Sequence, residues 1–236
     1  QAGGQNPGPS YTQYNNVEEW NGTVFSSATA LSLARYNSTS MGSETAGLVA
    51  AGDCGNGGGN PSNCTEVYNG STWASITALP SQSPSSNTHM RGSGASANAA
   101  AVAGGYQYST RTVEWDGSAW TTGGSMTIGR SEMGTFPSAP VDNLIVFGNT
   151  NFSHDAEIYD GTSWSAASTM IQKTKRSIGG GSGGGVYTGY EIANDTAAPM
   201  TLLYQAECAL TLCTAGGAWS VATTNILPRE ARGFSG

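Results

Sequence analysis

The residues of this chain whose types and spacing could do chemistry are four cysteines, two histidines and a set of recurring arginines. Cys54 and Cys64 bracket a run of Gly, Asn, Pro and Ser with almost no apolar content, and Cys208 and Cys213 form a second local pair. Each pair reads as a disulfide, which would remove entropy from a floppy loop in the unfolded chain. The alternatives are unpaired buried thiols or metal ligation. Ligand-type spacing is absent and the only histidines are His89 and His154, so no metal is expected. Disulfides in turn imply an oxidising, extracellular compartment.

Arg35, Arg130, Arg176 and Arg229 recur about once per stretch of similar sequence. One reading pairs them with the repeated acids Glu18, Glu66 and Glu157; a sharper one makes them a ring of guanidinium groups that could hold an anion. Other chemistry finds little support. Copper chemistry would need two histidine ligands, and His89 and His154 lie in different-looking loops. There is no nucleophile elbow, and Gly179 to Gly185 lacks the Lys-Ser/Thr and helix of a phosphate cradle, so it reads as a flexible loop. No cofactor is expected. Sequons fall at Asn21, Asn37, Asn63, Asn69, Asn151 and Asn194. A tight turn explains Asn21 and Asn69, which leaves Asn37, Asn63, Asn151 and Asn194 as glycosylation candidates, in a composition where several sequons arise by chance.

The elements that would position these residues are set by a repeat. An aromatic, then Asn-Gly or Asp-Gly, then a second aromatic five residues on is seen at Trp20 and Phe25, Tyr68 and Trp73, Trp115 and Trp120, and Tyr159 and Trp164. A degenerate copy ends at Trp219. The copies step by about 44–55 residues, the period of a unit of four short strands. In the specimen from 87 to 126, Ala97 to Ala103 is a small-residue apolar run ending in Gly104-Gly105. Thr110 to Trp115 then alternates like a half-buried strand. Asp116-Gly117 predicts a type I′ hairpin with Trp120 on the return strand. Ala51-Gly52, Gly104-Gly105 and Phe147-Gly148 mark sharp corners. The aromatics are assigned to packing between units, where each buries about 150–250 Å².

Composition agrees. The chain has 236 residues, 34 of them Gly, with 11% charged residues, which suits short strands and tight turns. Its net charge of −7, with Lys173 and Lys175 the only lysines, excludes a nucleic-acid partner and an anionic membrane surface. No apolar run approaches the length of a transmembrane helix. The chain begins at Gln1 without Met or a signal-like run and reads as a processed product or part of a longer polypeptide.

The double glycine followed by an aromatic pair resembles the kelch-type repeat. Thr65-Glu66-Val67-Tyr68-Asn69-Gly70-Ser71-Thr72-Trp73 and Leu33-Ala34-Arg35-Tyr36 are similar to phrases in kelch-like repeats of marine bacteriophages. The resemblance implies an all-β, five-bladed propeller spanning 1–236 as one domain, with hairpins at 17–27, 65–75, 112–122, 156–166 and 207–221. Gln1 to Gly4 looks like Val102 to Gly105, and Leu227-Pro228-Arg229 looks like Leu33-Ala34-Arg35. The ring is therefore expected to close through N- and C-terminal strands sharing one blade, with a seam several residues short.

The resemblance further implies a non-enzymatic extracellular module of a phage virion, a head decoration or fibre, contacting neighbouring subunits or a host surface. Two alternatives stand beside it: a subunit of a secreted glycosylated filament, homo-oligomeric by strand addition, and a secreted carbohydrate-binding or sialidase-like protein. The last would need an arginine cluster with a Tyr and an acid if it were catalytic. Loops of variable length sit on the face opposite the hairpins, where binding residues gather on rigid scaffolds. Tyr11, Tyr14, Tyr106, Tyr108 and Phe152 would present aromatics there for a cell-surface glycan or a protein.

Overall fold

The computed structural model describes residues 2–6, 12–54, 63–80, 87–136, 139–151, 153–170, 173, 175–182, 186–194, 200–207 and 218–224, with backbone alone from 175 onward. The described residues are all-β apart from one short 3-10 turn, Val141–Asn143. The first sheet holds β1 (Ala2–Gln5), β2 (Gln13–Trp20) and β3 (Phe25–Ala28). β4 (Arg35–Tyr36), β5 (Thr39–Ser43), β6 (Ala46–Ala50), β7 (Asp53–Cys54), β8 (Thr65–Tyr68) and β9 (Trp73–Ser75) follow. They form the sheet β5-β6-β8-β9 and a two-stranded ribbon β4-β7. The next sheet is β10 (Met90–Ser96), β11 (Ala99–Gly104), β12 (Thr112–Trp115) and β13 (Trp120–Thr122). Another is β14 (Gly134–Thr135), β15 (Leu144–Phe147), β16 (Ala156–Tyr159) and β17 (Trp164–Ala166). The last is β18 (Lys175–Ser182), β19 (Val186–Asn194), β20 (Met200–Glu207) and β21 (Ala218–Thr224). Every pairing is antiparallel and joins sequence neighbours within a unit, apart from the short ribbon strands.

The expected closed ring of five blades is not what these sheets form. Among the described residues the sheets are separate, and no strand pairing closes them into a ring. Among the described residues, β1 has only β2 and β3 in its sheet, and none of them supplies a further strand to that unit. Residues 225–236, on which the shared-blade expectation rests, lie outside the described residues. The reason for the failure is physical: a repeat dictates each unit and its contact with the next, and says nothing of how first and last meet.

The small-residue run is explained by burial on both faces of β11. Ala100 and Val102 pack with Met41, Leu48 and Ala50 of the preceding sheet, while Ala101 and Ala103 pack with Leu144, Val146 and Tyr159 of the following one. A strand buried on both sides reads as continuous apolar sequence rather than as alternation. Close approach of the sheets needs small residues: a Cβ on Gly92 would stand 2.5 Å from Met41 Sδ.

The hairpin aromatics do face one another directly, at Trp20↔Phe25, Tyr68↔Trp73, Trp115↔Trp120 and Tyr159↔Trp164. The turn between them is not type I′. Four residues intervene, only the Gly has positive φ, and the Asn or Asp side chain does the closing. Asp116 Oδ1 accepts the N–H groups of Ser118 and Ala119, both at 2.8 Å, and Asn21 Oδ1 accepts those of Thr23 and Val24, both at 2.9 Å. This is an Asx turn, in which the side chain mimics a backbone acceptor. In the last sheet Tyr204 stands opposite Trp219, so the fifth copy keeps its aromatic positions across a much longer connection.

Packing of these aromatics differs between units. Trp115, Trp120, Tyr159 and Trp164 are buried, as expected of inter-unit packing, whereas Trp20 (51%) and Phe25 (59%) are exposed. Gly179 to Ser182 belongs to β18, paired with 188–191, and is not the flexible loop expected from its glycines.

Candidate functional site

Three successive units each carry a non-glycine residue in the left-handed region just before the innermost strand: Asn37 (φ 54°), His89 (φ 62°) and Glu132 (φ 52°). Such conformations are strained for residues other than Gly and cluster at functional sites. Neighbouring loops hold them. Tyr106 N–H donates to Thr88 O at 2.9 Å, Thr150 N–H donates to Ser131 O at 2.9 Å, and the Asn149 amide spans Ser131 N–H (3.2 Å) and Gly129 O (3.0 Å).

The three side chains meet although they come from three different units. Asn37 Nδ2 lies 3.1 Å from His89 Nε2, and His89 Nε2 lies 3.6 Å from Glu132 Oε1. The His89 and Glu132 side chains are 21% and 14% exposed, open enough to meet a ligand and buried enough to be held. Neutral His89 accepts the Asn37 amide proton at Nε2; the protonated ring instead offers that nitrogen as a donor to Glu132. Arg91, at the start of β10, adds a guanidinium that burial pushes below its ordinary range, while the Glu132 charge opposes that shift. Tyr106, 46% exposed, places its ring centroid 6.1 Å from that of His89. The group thus offers an amide, an imidazole and a carboxylate within a few ångströms, rimmed by an aromatic face.

Of the loop-face aromatics, Tyr106 joins this group. Tyr108, 43% exposed, donates its hydroxyl to Asn151 Oδ1 at 2.9 Å and ties together the loops of adjacent units. Tyr14, 41% exposed, stands on β2 opposite Gly4 in the first sheet. Tyr11 and Phe152 lie outside the described residues. Among the sequons, Asn37 has its amide engaged by His89, Asn63 is partly buried with its carbonyl accepting Leu79 N–H at 2.8 Å, and Asn151 is exposed. Asn194 ends β19, its backbone opposite Lys175. Cys54 and Cys64 form a disulfide, and Cys208 and Cys213 lie outside the described residues.

The recurring arginines do not line an anion site where they are described. Arg35 and Arg130 are fully buried and ion-paired with Glu66 and Glu157. Glu66 also accepts Ser32 N–H at 2.7 Å, and Glu157 accepts Thr127 N–H at 2.8 Å, so each carboxylate closes a loop as well as neutralising a guanidinium. Arg130 Nη1 further donates to Gly148 O (2.9 Å) and Asp155 O (3.0 Å). Glu18 is exposed on β2, Arg176 lies in β18, and Arg229 falls outside the described residues.

The His89 group was missed in the sequence because its members share neither residue type nor a motif. The available signal was positional: each lies two residues after Arg35, Asn87 or Arg130 at the same phase of the repeat.

No family model matches the chain, and no curated protein does. Among solved structures it is similar to that of YjhT, with a TM-score of 0.68 and 10% identity over 93% of this chain and 80% of that one. At that identity the likeness shows a shared fold alone. The phage resemblance is not upheld: the structural likeness found is to YjhT, and nothing found supports a virion or attachment role.

Proposed function

We infer that the protein binds glycans through the Asn37–His89–Glu132 group, as a secreted carbohydrate-binding protein of the sialidase-like kind. The observation that carries this reading is the convergence of amide, imidazole and carboxylate, 3.1 and 3.6 Å apart, beside the exposed ring of Tyr106. Sugar hydroxyls both donate and accept, and a set that can do the same in turn, next to a flat ring for an apolar sugar face, suits them. The Cys54–Cys64 disulfide is consistent with an extracellular protein. The reading is one of binding; Arg35 and Arg130, committed to buried carboxylates, take no part in it.

A panel of neutral and acidic glycans tests it, with the wild-type chain beside Glu132→Gln and Tyr106→Ala. Binding by the wild type that both substitutions weaken at least about tenfold, roughly 1.4 kcal/mol, supports the reading. Silence across the panel, or binding indifferent to both substitutions, overturns it. Release of free sugar from any bound glycan would assign an enzyme instead.

A further inference from the structure

Two of the hairpin turns carry chemistry that the other two lack. Asn21-Gly22 and Asn69-Gly70 occupy the turn positions that Asp116-Gly117 and Asp160-Gly161 hold elsewhere. Both asparagines are exposed. Asn21 Oδ1 accepts Thr23 N–H and Val24 N–H, both at 2.9 Å; Asn69 Oδ1 accepts Ser71 N–H at 3.0 Å and Thr72 N–H at 2.9 Å. Two donors on one carbonyl oxygen draw charge from its carbon and stand where an oxyanion would develop. The neighbouring residue is Gly in each case, with no side chain to block its nitrogen. Nothing stands within 4 Å of where a Gly22 Cβ would be, and among the described residues no hydrogen bond engages the Gly22 or Gly70 N–H.

We propose that Asn21 and Asn69 are sites of self-catalysed deamidation, at which the folded turn itself activates the side-chain amide. The Gly nitrogen attacks Asn Cγ; the new C–N bond replaces the bond to Nδ2, which leaves as ammonia carrying the proton lost by the Gly nitrogen. Water then opens the resulting succinimide to aspartate or isoaspartate. No electrons are exchanged and no reactant but water is needed.

The two products have opposite structural fates. The aspartate is already accommodated: Asp116 Oδ1 accepts Ser118 and Ala119 N–H at 2.8 Å, and Asp160 Oδ1 accepts Thr162 and Ser163 N–H at 2.8 and 2.7 Å. Isoaspartate adds a methylene to the backbone and displaces the Trp20↔Phe25 or Tyr68↔Trp73 register. Each event also adds a negative charge to a chain already at −7.

The test is peptide mapping of the intact chain aged in mildly alkaline buffer prepared with isotopically heavy water, beside the same chain unfolded in denaturant. The expected result is heavy-oxygen incorporation at Asn21 and Asn69 roughly tenfold faster than at Asn143 or Asn151. The rate in the folded chain should equal or exceed that in the unfolded one. Asn21→Asp and Asn69→Asp should fold with an unchanged unfolding midpoint. No incorporation at either turn, slower incorporation when folded than when unfolded, or a lowered midpoint in the aspartate variants would overturn the proposal.

Discussion

Trp164 Nε1 donates to Thr112 Oγ1 at 2.9 Å and to Gly124 O at 3.0 Å, so the last strand of one sheet is bolted to the strand and loop of the sheet before it. Trp120 Nε1 does the same one unit earlier, donating to Thr77 O at 3.1 Å. Trp120→Ala should therefore destabilise by about 3–5 kcal/mol through the cavity it leaves. Phe25 is exposed at the same repeat position, and Phe25→Ala should stay under about 1 kcal/mol. Denaturant midpoints with unchanged slopes check both, and equal losses would mean that the first hairpin is as buried as the third.

The buried Arg130–Glu157 pair has a counterpart inside the chain. At the matching positions of the preceding unit stand Asn87 and Val113, so acid and base are exchanged together. Glu157→Val alone should cost about 3–5 kcal/mol, because Arg130 keeps a buried charge without its carboxylate. Adding Arg130→Asn should recover most of that loss. A double variant less stable than the single one would show that the pair is irreplaceable in its unit.

Tyr159 donates its hydroxyl to Glu114 and accepts Gly124 N–H at 3.1 Å. Burial and the neighbouring carboxylate push the Tyr159 hydroxyl up to about 12. The folded state therefore favours the protonated phenol. Its contribution is fully present below the unfolded value near 10 and is lost as pH rises from about 10 through 12. Glu114→Gln should move that alkaline limb toward lower pH; an unmoved limb would show that Glu114 does not set it.

Asp116 and Asp160 lie below the ordinary carboxylate range, chiefly because the backbone N–H groups of Ala119 and Ser163 donate to them. Their stabilisation is present above the unfolded value near 4 and is lost as pH falls below it through the lowered folded value. Asp116→Asn reproduces the first two hairpins and should flatten the acid limb of the stability curve. An acid limb identical to that of the wild type would assign the acid loss to other carboxylates.

The hairpins were legible because aromatic spacing and a following Gly are local signals, and the Trp115↔Trp120 register follows from them. The Asx closure was not, since Asp116-Gly117 fits two turn families and only the positive φ at Gly117 alone separates them. Arginine pairing was half legible: Glu66 and Glu157 recur in phase with Arg35 and Arg130, but the total burial that removes them from ligand chemistry is a tertiary property. The site was least legible. Asn37, His89 and Glu132 are separated by 43 residues or more and meet only because three sheets bring the starts of their inner strands together.

The most direct test of the glycan-binding account is the nitrogen–proton NMR signal of the His89 imidazole, followed as a glycan that binds in the panel is added. The account predicts that the signal shifts saturably with the same dissociation constant as bulk binding, and that Glu132→Gln weakens both at least about tenfold. An imidazole signal that stays fixed while the glycan binds elsewhere would contradict it.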